Sequence, residues 1–361
     1  MSQKFFIDPD ITKAETLPAD FYRDPEVFDL IREKVFNRTW QWIGSKDLLP
    51  QQEGVYPLTL LDGFMKEPLL LTKDGTDEIR CLSNVCTHRA NILAHQPAKS
   101  KSIICAYHGR RFDLEGKFVS MPEFDEAENF PRPCDSLHKY PLKDWRDFLF
   151  VSPNPAFDIQ EVVEIMEKHV GFMPIEDFKF EPTLSKDYLV NAHWALYCDN
   201  YLEGFHIPFV HKDLNNVLDY GSYTTILYDH CNVQVGYSKG GEEVFDLPEG
   251  HVDYGKQVGA YYYWVFPNMM FNFYPWGLSI NIVKPITKDK TKVSFLTYVY
   301  DETKIGSGAG ALLDKVERED EFVVEGVHQG LMSSAYTTGR FSPKREKGVH
   351  HFHGLLAKYI G

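Results

Sequence analysis

Apolar positions recur at helical spacing over the first forty residues, and after Trp42 the period shortens. Asp24-Pro25 reads as a helix start, an N-cap acid followed by a first-turn proline, and VFDLIREKVFNRTW continues it along one apolar face. From about Trp42 to Pro153 the short runs GVYPLTLL, PLLLT, EIRCLSNV, KSIICAY and DFLFVS are broken by Gly, Asp and Pro clusters, the pattern of strands joined by turns. Helical spacing returns from Asp158 to Val170. YYYWVFPNMMFNFY, LSINIVKPI and KVSFLTYVY then read as strands of a larger sheet, and a last helical stretch runs from Ala309 to Ser333. The expected architecture is α+β. A helical segment at 1–41 packs with the second domain, a small all-β domain at 42–155 is inserted, and 156–361 builds a larger domain with a central antiparallel sheet surrounded by helices.

Composition narrows the function. Of 361 residues 43% are hydrophobic and 25% charged, ordinary for a globular protein, and the net charge of −14 argues against nucleic acid or an anionic membrane as partner. No run approaches the roughly 18 apolar residues of a membrane span, and MSQKFFIDPDITKAE has no apolar core of signal-peptide type. A cytoplasmic location is therefore expected. Six cysteines, at 81, 86, 105, 134, 198 and 231, are then better read as reduced thiols than as a disulfide framework.

Two of them carry chemistry. Cys86-Thr87-His88 and Cys105-Ala106-Tyr107-His108 stand in two turn-like loops of the β domain with sixteen residues between them. Two thiolates and two imidazoles suit tetrahedral zinc, or an iron–sulfur cluster in which two Cys hold one iron and two His the other. Zinc fingers usually offer a Cys pair and a His pair separately; here each loop offers one of each, which favours two irons. The C-x-H and C-x-x-H loops resemble the Rieske family, which implies a [2Fe-2S] cluster on Cys86, His88, Cys105 and His108. Respiratory Rieske proteins carry an extra Cys in each loop, where this chain has Asn91 and Tyr107, and a Ser where it has Arg110. No loop disulfide is possible, and fewer hydrogen bonds to sulfur leave the potential low, as an oxygenase requires.

A second iron separates an oxygenase from an electron carrier. DNYLEGFHIPFVH supplies His206 and His211, five apart; on a continuous helix they diverge by about 140°, but Pro208 can break the helix and let them converge. Fe(II) oxygenases add one carboxylate and keep one face of the ion open. In DKVEREDEFVVEGVHQGL, Asp320 falls on a stripe of Val316, Val323, Val324, Val327 and Leu331, whereas Glu319, Glu321 and Glu325 flank it or point away. A carboxylate on a buried stripe needs a cation, either a metal or an Arg or Lys partner.

The string D-N-Y-x-E-x-x-H-x-x-x-x-H, with the distal E-D-x-x-x-x-E, resembles the catalytic domain of Rieske oxygenases. The resemblance covers nearly the whole chain. It implies a mononuclear Fe(II) on His206, His211 and Asp320, with Glu203 as the acidic bridge to a neighbouring subunit's cluster and Asn200 of the same string beside it as catalytic residues. It also implies a head-to-tail homotrimer, and a ferredoxin or a flavin/[2Fe-2S] reductase as electron donor to O2 and a small-molecule substrate. His193-Trp194-Ala195 departs from the family's Asn-Trp-Lys, so His193 is not counted as a ligand.

Substrate signals are weaker. Tyr261 to Trp276 concentrates aromatics that either fill a sheet core or cage a quaternary ammonium. The pattern P-N-x-x-x-N-x-Y-x-W and the tail from Glu346 are similar to the choline, glycine-betaine and carnitine branch. That branch implies hydroxylation or oxidative N-dealkylation. An aromatic-ring hydroxylating dioxygenase is the enzyme alternative, and an electron-transfer protein without a working second iron is the alternative of another class. Between Cys86 and Lys117 six basic residues (Arg89, Lys99, Lys101, Arg110, Arg111, Lys117) face two acids, a candidate docking patch for an acidic donor.

Overall fold

The N-terminal helical pattern resolves into α1 (Ala19–Arg23) and α2 (Pro25–Lys34). Asp24 caps α2, its carboxylate accepting the Glu26 N–H at 2.9 Å, while Pro25 takes a first-turn position that needs no N–H. The computed structural model describes residues 5–211, 221, 224–238, 240, 243–305 and 313–361. It divides into two units, Asn37–Phe157 and the remainder, Met1–Phe36 with Asp158–Gly361.

The smaller unit is all-β. Its strands are β1 (Gln41–Ser45), β2 (Gly54–Leu60), β3 (Glu67–Lys73), β4 (Ile79–Ser83), β5 (Ala98–Lys99), β6 (Ile103–Ile104), β7 (Arg111–Phe112), β8 (Phe118–Ser120), β9 (Lys139–Tyr140), β10 (Leu142–Trp145) and β11 (Phe148–Val151). They form a five-stranded sheet in the order β5-β2-β3-β4-β9 and two three-stranded sheets, β1-β11-β10 and β6-β7-β8. Val55, Leu70, Leu82, Ile103, Phe112, Leu114 and Leu137 make an apolar cluster that also takes in Cys86 and Cys105. Burial of that surface sets the two loop cysteines against a fixed floor.

In the larger unit α3 (Gln160–Val170) precedes β12 (Lys179–Phe180) and β13 (Lys186–Val190), and α4 (Trp194–Tyr201) and α5 (Ile207–Val210) follow. The main sheet is completed by β14 (Thr224–Leu227), β15 (Cys231–Tyr237), β16 (Val258–Val265), β17 (Met269–Tyr274), β18 (Gly277–Thr287) and β19 (Lys290–Val299). Its order is β12-β19-β18-β17-β16-β15-β14, with β13 also on β19, and every pairing is antiparallel. The chain ends in α6 (Leu313–Leu331) and α7 (Lys347–Ile360). The expected helix start at Ala309 lies outside the described residues. Among the described residues no helix is long and apolar enough to cross a membrane.

Register decides what this sheet offers on each face. Gln234 pairs with Tyr262, Tyr262 with Asn272, Met270 with Asn281 and Asn281 with Phe295. Residues opposite one another share a face, so Gln234, Tyr262, Asn272, Asn281 and Phe295 line up on one side, with Tyr274 two residues beyond Asn272. Tyr261, Tyr263, Phe271 and Phe273 take the other side and are fully buried; there the Tyr263 hydroxyl meets His169 of α3 at 2.6 Å. The aromatic run therefore serves both readings, core on one face and cavity wall on the other.

Candidate active site

Cys86 and Cys105 open two loops built alike. The Cys86 N–H donates to the Asn91 carbonyl at 2.8 Å and the Ala90 N–H to the Cys86 carbonyl at 3.0 Å; the Cys105–Arg110 and Gly109–Cys105 bonds repeat this at 2.8 and 2.9 Å. The fifth residue of each loop is left-handed, Ala90 at φ 54° and Gly109 at φ 74°. Glycine adopts that conformation freely, whereas an L-residue pays roughly 1–2 kcal/mol. Backbone N–H groups of His88 and Arg89 donate to the Cys86 sulfur, and those of Tyr107 and His108 to the Cys105 sulfur.

The donor atoms fit a metal group. The His88 and His108 ring centroids lie 4.8 Å apart, and the Nδ1 of each is buried without a hydrogen-bond partner. Both thiols are buried and free. Unpartnered ring nitrogens beside two buried thiols cost free energy that a metal group recovers. Burial, and then positive charge at His108, Arg89 and Arg110, hold His88 below the ordinary imidazole value, which favours its neutral, ligating form.

Arg110 corrects one expectation. It is 2% exposed, and its guanidinium pairs with the Asp135 carboxylate at 2.8 Å and donates to the Asp135 carbonyl at 3.1 Å. Rings of Phe112, Phe118 and Phe130 surround it. The charge buttresses the second loop and does not belong to a docking patch; Arg89, Lys99, Lys101, Arg111 and Lys117 are the exposed members. Arg110→Ala leaves the buried Asp135 carboxylate with only the Arg132 N–H at 2.7 Å and the Arg132 guanidinium at 3.4 Å, so it should destabilise the small unit by roughly 1–3 kcal/mol. Thermal melting followed at the cluster's visible absorbance measures this, and an unchanged midpoint would mean the pair is dispensable.

The second constellation gathers at the end of the α4–α5 connection. α4 stops at Tyr201, and α5 spans only Ile207–Val210 with His206 before it and His211 after it. Pro208 does not break a helix between the histidines, as the sequence suggested. It sits in the first turn of α5, and the rings converge because His211 leaves helical geometry at φ −106°, ψ 73°. Ring centroids lie 5.0 Å apart. Asp320 of α6 places Oδ1 2.9 Å from His211 Nε2 and 3.5 Å from His206 Nε2. One donor atom from each of the three lies within 4.8 Å of the others.

Two further carboxylates hold the imidazoles from behind. Glu203 Oε1 meets His206 Nδ1 at 2.6 Å, and Glu319 Oε2 meets His211 Nδ1 at 2.8 Å. A carboxylate accepts, so the proton sits on Nδ1 and the Nε2 lone pair faces the centre. Glu203 also accepts the N–H groups of Phe205 and His206, closing the turn. Burial lowers the His211 pKa, but the Asp320 and Glu319 carboxylates outweigh it and leave the ring above its ordinary value. A divalent cation satisfies the same carboxylates in place of that proton.

These groups open on a cavity of about 130 Å³. α4 contributes Tyr197, Asn200 and Tyr201, at the spacing that puts side chains on one helix face. α6 adds Val316, Glu317 and Asp320, and the sheet face adds Gln234, Tyr262, Asn272, Tyr274, Asn281 and Phe295. The α6 stripe differs from its expected form. Val327 is 47% exposed and, with Val323, borders a second cavity near Tyr22 and Tyr336, whereas Glu317 is 3% exposed. His193 is no donor here: it is buried, caps α4 through Nδ1, and packs against Phe21, Tyr22 and Phe28.

Family models match both parts of the chain: a Rieske [2Fe-2S] domain over residues 39–133, and the catalytic domain of the ring hydroxylating alpha subunit over 175–361. The chain is a Rieske oxygenase. As such it is an oxidoreductase that carries a Rieske [2Fe-2S] cluster and a mononuclear iron and takes electrons for O2 from a reductase or ferredoxin. The chloroplastic choline monooxygenase of Arabidopsis thaliana is 30% identical over 369 residues, covering 97% of this chain and 84% of that protein. The carnitine monooxygenase oxygenase subunit of Escherichia coli (strain K12) is 25% identical over 362 residues, covering 96% and 94%. Among solved structures, a quaternary ammonium Rieske monooxygenase superposes with TM-score 0.77 at 22% identity over 98% of this chain and 97% of that one. This oxygenase therefore has the expected α+β fold, with an all-β Rieske domain and a catalytic domain with an antiparallel sheet. What the sequence missed in its active site is Glu317 and the support that Glu319 gives His211. Both acids lie on a helix so rich in acids that composition alone could not single them out.

Proposed function

We propose that this Rieske oxygenase monooxygenates a methylated quaternary ammonium compound, by hydroxylation or oxidative N-dealkylation. The observation that carries the reading is the cavity wall: five rings, Tyr197, Tyr201, Tyr262, Tyr274 and Phe295, beside the His206, His211 and Asp320 donors. Ring faces replace water around a cation that cannot itself donate a hydrogen bond. The choline and carnitine monooxygenases among its relatives support the same substrate class.

In this reading Cys86 and Cys105 hold one iron of the cluster, His88 and His108 the other, and His206, His211 and Asp320 hold the mononuclear iron. When bound, the cluster delivers electrons singly and the iron activates O2, so that a C–H bond, O2, two electrons and two protons give C–OH and water. The chain's own groups orient and exclude. Glu203 and Glu319 fix the imidazoles, and Glu203 is the bridge to a neighbouring subunit's cluster in a homotrimer. The Tyr201 hydroxyl, donating to Asn272 Oδ1 at 2.6 Å, ties the α4 end to the sheet, and Asn200 borders the cavity next to Glu203. Free thiols throughout fit a reducing, cytoplasmic setting.

The test is substrate-dependent O2 uptake by iron-loaded protein with a ferredoxin-type reductase, across methylated ammonium compounds and arenes. Ammonium compounds should stimulate uptake with matching product, and arenes should not. Uptake with an arene and a cis-diol product would move the enzyme to ring dioxygenation. Sedimentation should find a trimer, and a monomer that turns over would remove the bridge role of Glu203.

A further inference from the structure

One carboxylate in the cavity is used by neither the metal donors nor the histidines. Glu317 stands three residues before Asp320, 3% exposed, and lines the cavity. Its Oε2 accepts a hydrogen bond from the Tyr197 hydroxyl at 2.5 Å, while Oε1 is buried without a partner. Among the described residues Glu317 makes no ion pair. The neighbouring Arg318 is committed to Glu321 at 3.2 Å and to the face of Tyr188. Burial pushes the Glu317 carboxyl up to about 8, against the opposing pull of the Tyr197 bond, so without a cation the neutral acid is favoured and an arriving cation draws out its charge. A buried acid with an open oxygen stays costly until a cation or donor meets it.

The rest of the lining says which cation fits. Among the described residues that border the cavity none is Lys or Arg. The neutral amides are partly committed: Asn272 Oδ1 accepts from Tyr201, Asn281 Oδ1 accepts from Ser279 at 2.9 Å, and Gln234 Nε2 donates to the Tyr201 carbonyl at 2.9 Å. Such a wall can greet a hydroxyl, which both donates and accepts. A substrate carboxylate would instead enter a cavity that already holds Glu203, Glu317 and Asp320. We propose that Glu317 is the counter-ion of the substrate's ammonium group, so that the cavity selects a net-cationic ammonium alcohol of the choline kind over zwitterionic ammonium carboxylates such as carnitine. The proposal rests on the quaternary ammonium reading and adds the residue and the charge rule to it.

Anaerobic titration calorimetry on iron-loaded protein tests this, with choline, L-carnitine, naphthalene and 3,3-dimethylbutan-1-ol, the uncharged shape-mate of choline. Wild type should bind choline at least about tenfold more tightly than carnitine or the neutral alcohol. Glu317→Gln keeps an acceptor for Tyr197 but not the charge. It should bind choline no better than the neutral alcohol, whose own affinity stays as in wild type, a pattern that a merely structural role would not give. Glu317→Asp, which retains the charge, should keep a preference for choline over the neutral alcohol and guards against misfolding of the first variant. Choline affinity unchanged in a folded, iron-replete Glu317→Gln overturns the assignment of Glu317 alone, as does a wild type that prefers carnitine. Binding of naphthalene with neither ammonium compound bound overturns the substrate class itself.

Discussion

Asp320→Ala should empty the mononuclear site, leave the cluster intact and abolish turnover. Asp320 is the acid that meets both Nε2 atoms, and its loss leaves two neutral imidazoles to hold a divalent ion without a charged ligand. The cluster donors belong to the other unit of the chain, so the reduced protein should keep its cluster spectrum while iron falls by about one per chain. Glu319→Ala is the informative companion. Glu319 touches only the far nitrogen of His211, and removing such a support typically costs about 10–100-fold in metal affinity or activity rather than the whole site. Full turnover in Asp320→Ala, with loss in Glu319→Ala, would exchange the two assignments.

Glu203→Gln should keep both metals and still slow electron delivery, on the order of 10–100-fold. Glutamine preserves the shape and a carbonyl acceptor for His206 Nδ1, so the ring stays oriented. It removes the charge that, in the proposed homotrimer, would link the two metal centres across subunits. The readout is the rate at which a pre-reduced cluster reoxidises when substrate and O2 are added, measured at its visible absorbance. Slow reoxidation with unchanged iron and substrate affinity supports the bridge. Loss of iron instead would reduce Glu203 to a support for His206.

How much of this was legible in the sequence differed from element to element, for physical reasons. Asp24-Pro25 announced α2, because capping and first-turn proline are local chemistry. The loops of Cys86 and Cys105 were legible because ligand spacing within a tight turn is local too. Helical phase favours Asp320 over Glu319, although the valine stripe that sets this phase is not the buried face of α6, where Glu317, Val324, His328 and Leu331 lie and from which Val327 is exposed. Pro208 misled, because its effect depends on whether it falls inside a helix or in its first turn, and only the end of α4 at Tyr201 settles that. Arg110 has the pattern of surface charge, because the acid that buries it, Asp135, stands twenty-five residues on. Glu317 was hidden for a related reason: no phase calculation on α6 alone shows that the hydroxyl of Tyr197 and a cavity wait on its side. The aromatic run from Tyr261 to Trp276 was legible as a feature but not as a function until the pairing of β16 with β17 separated its two faces.

The most direct test of the two-site account is a count of iron, zinc and acid-labile sulfide in wild-type protein purified without air. A [2Fe-2S] cluster on Cys86, His88, Cys105 and His108, with one iron on His206, His211 and Asp320, predicts about three irons, about two sulfides and no stoichiometric zinc per chain. One zinc with no acid-labile sulfide would contradict it, and with it the assignment of both metal sites.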